Sequence, residues 1–153
     1  MSDTKALDHV DVRGPRFVAW VTTVVLIVTL LVASISPVAA AVILGMQTVV
    51  FAVGAALGPR RHPYGRIYAA VVAPRLGPVT EREPAPPLKF AQLVGFVFAV
   101  VGTVGFAFGV GALGIIATAF ALFAAFLNAA FGICLGCQLY PLVAHLRRTP
   151  TQA

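Results

Sequence analysis

Residues 90–144 read FAQLVGFVFAVVGTVGFAFGVGALGIIATAFALFAAFLNAAFGICLGCQLYPLVA, fifty-five residues without one Asp, Glu, Lys or Arg. A helix crossing a bilayer needs about 20 apolar residues, each rising 1.5 Å. The run is far too long for one crossing and suits two crossings with a turn. Glycines mark that turn. Gly109 and Gly111, with Gly114 just beyond, fall where a helix starting at Phe90 leaves the bilayer. The run therefore predicts spans over residues 90–108 and 112–133.

Two more apolar runs lie upstream, over residues 17–36 and 37–57. They meet at the tight corner Ser34-Ile35-Ser36-Pro37, where Pro37 suits a first helical turn because its missing N–H does no harm there. Between these runs and the charge-free stretch lie residues 58–89, with seven of the eleven prolines and six of the basic residues. So many prolines forbid a spanning helix. Within this loop, residues 64–72 read as an interfacial helix with Tyr64 and Tyr68 at headgroup level. The expected fold is an all-α integral membrane protein, one membrane domain over residues 1–153. Its four transmembrane helices form two antiparallel hairpins around a Pro-rich loop.

Composition agrees. Of 153 residues, 59% are hydrophobic and 10% charged, and mean hydropathy is +0.95. An ordinary soluble domain carries about a quarter charged residues. Soluble globular and disordered classes are excluded. The apolar residues run unbroken rather than alternating, which excludes an outer-membrane β-barrel.

The chain carries 11 basic and 5 acidic residues, a net charge of +6. In a soluble protein that excess would suggest nucleic acid. Here the charges have another logic. Lys5, Arg13 and Arg16 precede the first span; Arg60, Arg61, Arg66, Arg75, Arg82 and Lys89 lie in the loop; Arg147 and Arg148 follow the last span. In a four-span arrangement these segments share one face, and the two opposite corners are uncharged. The positive-inside rule puts that face in the cytoplasm. The expectation is a multi-pass protein of the inner (plasma) membrane with both termini cytoplasmic, embedded in a lipid bilayer, with no nucleic-acid partner. A cleaved signal peptide over residues 1–33 is disfavoured by Asp3, Asp8 and Asp11 and by the length of the apolar run.

The two cysteines, Cys134 and Cys137, form a CxxC pair in FGICLGCQ. Three residues apart on a helix, they share a face within disulfide reach. Such a pair suits dithiol exchange: one thiolate attacks and the second resolves the mixed disulfide. Cys134 and Cys137 are therefore the candidate catalytic residues, at the cytoplasmic end of the fourth span. Inert packing of two small apolar residues is the competing reading. A metal site is the third: His62 and His145 would complete a Cys₂His₂ set, or two chains a Cys₄ set. The spacing matches no standard zinc pattern, so no metal and no cofactor is expected. Each histidine alone reads as a solvated interface residue. A thiolate gains from a helix N-terminus and loses at a C-terminus. A fourth span ending at Cys134 would oppose the chemistry, whereas a chain break at Gly136 with a new helix starting near Cys137, followed by Pro141, would favour it. Arg147, Arg148 and His145 are candidate sources of positive charge.

Gln47 and Asn128 are the deepest polar side chains and read as interhelical glue. The pairs Gly54/Gly58, Gly105/Gly109 and Gly132/Gly136 have the spacing that lets helices approach closely. No acidic or basic residue lies inside a span, so ion coupling has no visible carrier. Phosphate-loop, dinucleotide and Ser/His/Asp patterns are missing from the sequence. Asp11, Arg13, Arg16, Arg75, Glu81, Arg82 and Glu83 are expected to form a ring of ion pairs holding the loop under the bundle, or else to bind lipid headgroups.

Several strings, DVRGPRF (11–17), PYG (63–65), RLGP (75–78), PPLKFAQ (86–92) and GICLGC (132–137), carry a family resemblance. Over nearly its whole length the chain resembles a bacterial, largely actinobacterial, family of small membrane proteins catalogued as a domain of unknown function. Genes of that family lie beside thioredoxin-like and rhodanese-type sulfurtransferase genes. The resemblance thus implies a thiol or sulfur role and a partner of either kind. The family brings no catalytic residues of its own. Two other functions fit the sequence: a scaffold docking soluble partners through the basic loop, and a transporter subunit for a sulfur compound, which would require a homo-oligomer.

Overall fold

A computed structural model describes the backbone of residues 9–152 and the side chains of residues 9–147. Asp3, Lys5, Asp8 and the Arg148 side chain, used in the charge reading, lie outside the described residues. The chain opens with a short strand, β1 (His9–Asp11), and enters helix α1 (Arg13–Ala33). Three residues connect α1 to α2 (Pro37–Leu57). There the Ser36 hydroxyl accepts the Ala39 N–H at 3.2 Å and Pro37 fills the first turn. The loop holds α3 (Pro63–Ile67), which runs on through a π turn (Tyr68–Val72) and a 3₁₀ turn (Ala73–Arg75). After strand β2 (Arg82–Pro84) come helices α4 (Ala85–Ala107), α5 (Gly111–Phe131) and α6 (Leu135–Gln152).

α1, α2, α4 and α5 are long and apolar enough to cross a membrane. They make the chain a multi-pass helical membrane protein. α1 packs on α2 and α5, and α4 packs on α2 and α5, closing a ring of four helices. Its centre holds Leu26, Leu44, Phe51, Ala99, Phe106 and Ala121. No more than 33% of any of the four apolar windows is buried inside the protein. The outward-facing Leu31, Val42, Val49 and Phe123 therefore need lipid around them. α4 begins five residues before the charge-free run, with Pro86 and Pro87 in the turn where proline is tolerated. α1 begins at Arg13. From its first turn Arg16 reaches across to α5, donating to the carbonyls of Ala129 (3.2 Å) and Ala130 (3.5 Å) at that helix's end. Those carbonyls are among the last four of a helix, which have no intrahelical donor.

The loop departs from the sequence expectation. It folds inward rather than lying at headgroup level. Tyr68 is 6% exposed, and the Tyr64 hydroxyl donates to Gln47 Oε1 at 2.7 Å. Gln47 sits ten residues from either end of α2, so the loop supplies the partner expected from another span. His62 is also corrected: expected at a solvated interface, it is 1% exposed. Its Nδ1 accepts the Tyr64 N–H at 3.2 Å, so the neutral ring carries its proton on Nε2 and donates to Gln92 Oε1 at 3.1 Å. Sequence could not show this burial, because the wall against His62 comes from Gly54 and Gln92 on two different helices.

The ring of ion pairs is also corrected. Of the residues expected in the ring, Arg13 and Asp11 form an ion pair at 2.9 Å. Among the described residues, Arg75, Glu81, Arg82 and Glu83 join no such ring. The loop is held instead by backbone groups. β1 pairs antiparallel with β2, Val10 opposite Glu83. Arg13 donates to the Gly77 carbonyl at 3.2 Å and Arg60 to the His9 carbonyl at 3.1 Å. Burial pushes the Asp11 carboxyl up, but hydrogen bonds from Arg13 and Tyr68 outweigh it and hold the group below the usual carboxylate range. Burial, reinforced by Glu81, pushes the Glu83 carboxyl up.

Burial lowers the His62 pKa, only partly offset by Gln92. The folded state thus binds this proton less readily than the unfolded chain, so stability rises with pH in this range. The His62 contribution is complete above about pH 6.5 and is lost as pH falls below it. Thermal unfolding in detergent at pH 7.5 and 5.5 should show this loss, and His62→Gln should flatten the slope between the two.

Candidate functional site

The fourth apolar helix does not run through the cysteines. α5 ends at Phe131, and Gly132 adopts a left-handed conformation (φ 70°) that side-chain-bearing residues rarely take. The Ile133 N–H turns back to the Leu127 carbonyl at 3.2 Å. Residues 132–134 form the break, and α6 starts at Leu135. Cys134 therefore occupies the N-cap position of α6. Its sulfur accepts the Cys137 N–H at 3.2 Å, and its carbonyl accepts the Gln138 N–H at 3.0 Å. This is the bond that a Ser or Asp oxygen makes at a helix start, made here by sulfur. The break lies at Gly132 rather than Gly136 and the helix starts at Leu135 rather than near Cys137, and this placement also sets a helix N-terminus beside Cys134, which favours a thiolate.

Cys134 and Cys137 are joined as a disulfide, their Cα atoms 5.1 Å apart. Both are half-buried. Between them, Gly136 is buried against α4. A Cβ at this position would lie 2.5 Å from Ala91 Cα and 2.6 Å from Ala91 Cβ. The absence of a side chain at Gly136 thus lets α6 seat its first turn on α4. The Gly132/Gly136 spacing has separate uses at its two ends, one for a turn and one for a contact. Phe90 and Tyr140 pack beside it, ring centroids 6.0 Å apart. Pro141 lies inside α6 and removes the N–H that would bond the Cys137 carbonyl. Leu139, Leu142 and Leu146 line an exposed stripe of the same helix.

Arg147 and His145 lie far along the helix from the sulfurs. Arg147 stands thirteen residues along α6, about 20 Å from the N-cap, and His145 lies only two residues nearer. His62 and His145 do not complete a ligand set either: among the described residues no group of three His, Cys, Asp or Glu side chains could hold a metal ion.

Cys134 also lies at the wall of a cavity of about 590 Å³ that reaches between α1, α4 and α5. Its lining is mostly apolar, with Phe98 and Phe120 stacked at 5.9 Å. Thr22, His62, Gln92 and Asn128 bring polar groups to it. Thr22, Gln92 and Asn128 were not read from the sequence as part of one site with Cys134, and His62 was read beside it only as a metal ligand. They lie on four separate segments, and only the packed bundle unites them.

The arrangement defines a class: a multi-pass helical membrane protein with a cysteine pair on the first turn of a helix, beside an apolar cavity. The chain belongs to the family described as Domain of unknown function (DUF4395), whose family model matches residues 10–145. Comparison with curated proteins and with solved structures finds no match.

Gly136→Val forces α6 away from Ala91, an overpacking that costs about 1–3 kcal/mol. Quantitative thiol alkylation should then find both cysteines more reactive after mild reduction, while circular dichroism shows unchanged helix content. A variant that alkylates like the parent would mean the contact with α4 does not position the pair.

Proposed function

We propose that this protein is a membrane dithiol–disulfide carrier, with Cys134 as the attacking sulfur and Cys137 as the resolving one. The observation that carries the reading is the sulfur at the N-cap of α6 with Cys137 within bonding distance. In the reduced protein the helix dipole and the Cys137 N–H favour a thiolate on Cys134. That thiolate attacks the disulfide of a thioredoxin-like partner, releasing one partner thiolate. Cys137 then attacks Cys134, freeing the second. One S–S bond breaks and another forms, and the reverse reaction follows the same path. The same thiolate can take the outer sulfur from a sulfurtransferase persulfide, which leaves the partner as a thiolate.

The four spans stand as two antiparallel hairpins, with both termini and residues 58–84 at the cytoplasmic face of the inner membrane. Two observations support this. The charged residues Arg13, Arg16, Arg60 and Arg82 belong to segments tied together by β1–β2 pairing and by arginine–carbonyl bonds. The connections 34–36 and 108–110 carry no charge.

Acid trapping in cells, followed by alkylation, tests the thiol reading. Cys137→Ser should accumulate a mixed disulfide through Cys134, and Cys134→Ser should accumulate far less. A double Cys134→Ser/Cys137→Ser chain that restores the full phenotype of a deletion strain would overturn the reading.

A further inference from the structure

We infer that the cavity beside Cys134 binds a lipid-soluble quinone, and that this quinone is the oxidant of the Cys134–Cys137 pair. The inference rests on the dithiol reading above and supplies the electron acceptor it lacks.

Thr22 provides the first observation. Six threonines lie within the four long helices. Thr23, Thr29, Thr48, Thr103 and Thr118 each donate their hydroxyl to the carbonyl four residues earlier, at 2.7–2.8 Å. Thr22 does not. Its Oγ1 is buried without a hydrogen-bond partner, although the residue is only 3% exposed, and it lines the cavity. A buried hydroxyl left unpaired costs about 1–3 kcal/mol, so a ligand bearing an acceptor would gain by meeting it.

The second observation is the set of donors around the remaining wall. His62 already fixes Gln92 Oε1 as an acceptor, which leaves the Gln92 amide N–H groups for another use. The Asn128 amide stands on the same lining and, among the described residues, has no side-chain partner. A hydroxyl and two amides offering N–H or O–H groups across an apolar chamber match a flat apolar molecule with carbonyl oxygens. The volume, about 590 Å³, lies in the range for binding a ring with a short prenyl segment. The stacked Phe98 and Phe120 offer a surface to such a ring.

Chemistry selects among molecules of that shape. The cysteine pair can give up two electrons and two protons, and Cys134 is on the wall of the chamber. Quinones are two-electron, two-proton acceptors that dissolve in a bilayer. In the net step the two S–H bonds of Cys134 and Cys137 break and the S–S bond forms. The quinone takes the electrons and protons at its two oxygens and leaves as the quinol. Donors placed at the carbonyl oxygens favour the product, where charge and protons accumulate.

The test uses the full chain in lipid nanodiscs, reduced and freed of excess reductant, mixed with decylubiquinone. We expect one quinol per protein by absorbance, with the Cys134–Cys137 disulfide formed in step by alkylation. Thr22→Val should slow the reaction about three- to tenfold, as the loss of one hydrogen bond implies, and Thr22→Ser should restore it. Ala125→Phe, which fills the chamber, should abolish it, with thermal unfolding showing that the variant remains folded. Equal rates in the parent, Thr22→Val and Ala125→Phe chains would place the reaction outside the cavity and overturn the inference. No quinol from a parent chain that still exchanges with a thioredoxin disulfide would overturn the inference alone. Cysteines inert to both quinone and thioredoxin would overturn it together with the dithiol reading.

Discussion

Inside a bilayer no water is at hand to rescue a polar group, so each interruption of a helix has to be answered by the protein itself. The chain interrupts its apolar helices near their ends, at residues 58–62 and 132–134, and both interruptions are answered by specific groups. Arg16 covers the carbonyls of Ala129 and Ala130. The sulfur of Cys134 covers the Cys137 N–H. His62 accepts the Tyr64 N–H on one nitrogen and donates its own N–H to Gln92 from the other. The same rule gives Thr22 its meaning. Five neighbours of its own kind solve the problem within their own helix, so the one that does not is facing something else.

Two contacts between distant parts of the chain then assemble the site. Gly136 on Ala91 docks α6 against α4, and the inward fold of residues 58–75 brings His62 against Gln92 on the same helix. α4 is thus the common support of the sulfur pair and of the polar floor of the cavity. The β1–β2 pairing and the Arg13 bond to Gly77 hold the rest of the loop close by, and among the described residues these are backbone contacts rather than a network of charge pairs. Backbone carbonyls are steady acceptors and leave few acidic groups to desolvate.

The membrane architecture was legible because it depends on properties of single stretches. Residues 90–144 lack charge, and that alone requires two helices with a turn. Pro37 marks the corner between α1 and α2, and Gly109 that between α4 and α5, for local steric reasons. The candidate sulfurs were legible as a pair, but their place at a helix start was not, because the break falls at Gly132, which takes a left-handed conformation, and not at Gly136, where the sequence suggested it. The burial of His62 was hidden for a different reason. A histidine beside Arg60, Arg61, Arg66 and two prolines reads as wet, and only the cleft provided by Gly54 and Gln92 reverses that. The first turn of α4 was misread in the same way, since Pro86 and Pro87 look like loop until they are seen at a helix start. Thr22 gave no signal at all, being one of six similar residues.

The disulfide closes a loop of sequence separation three. So short a loop removes little freedom from an unfolded chain compared with a bridge across tens of residues. The four-helix ring holds together through its own packing, with Leu26, Leu44 and Phe106 at its centre, and does not lean on this bond. Making or breaking the bridge would therefore concern one turn of α6 and leave the ring of four helices standing.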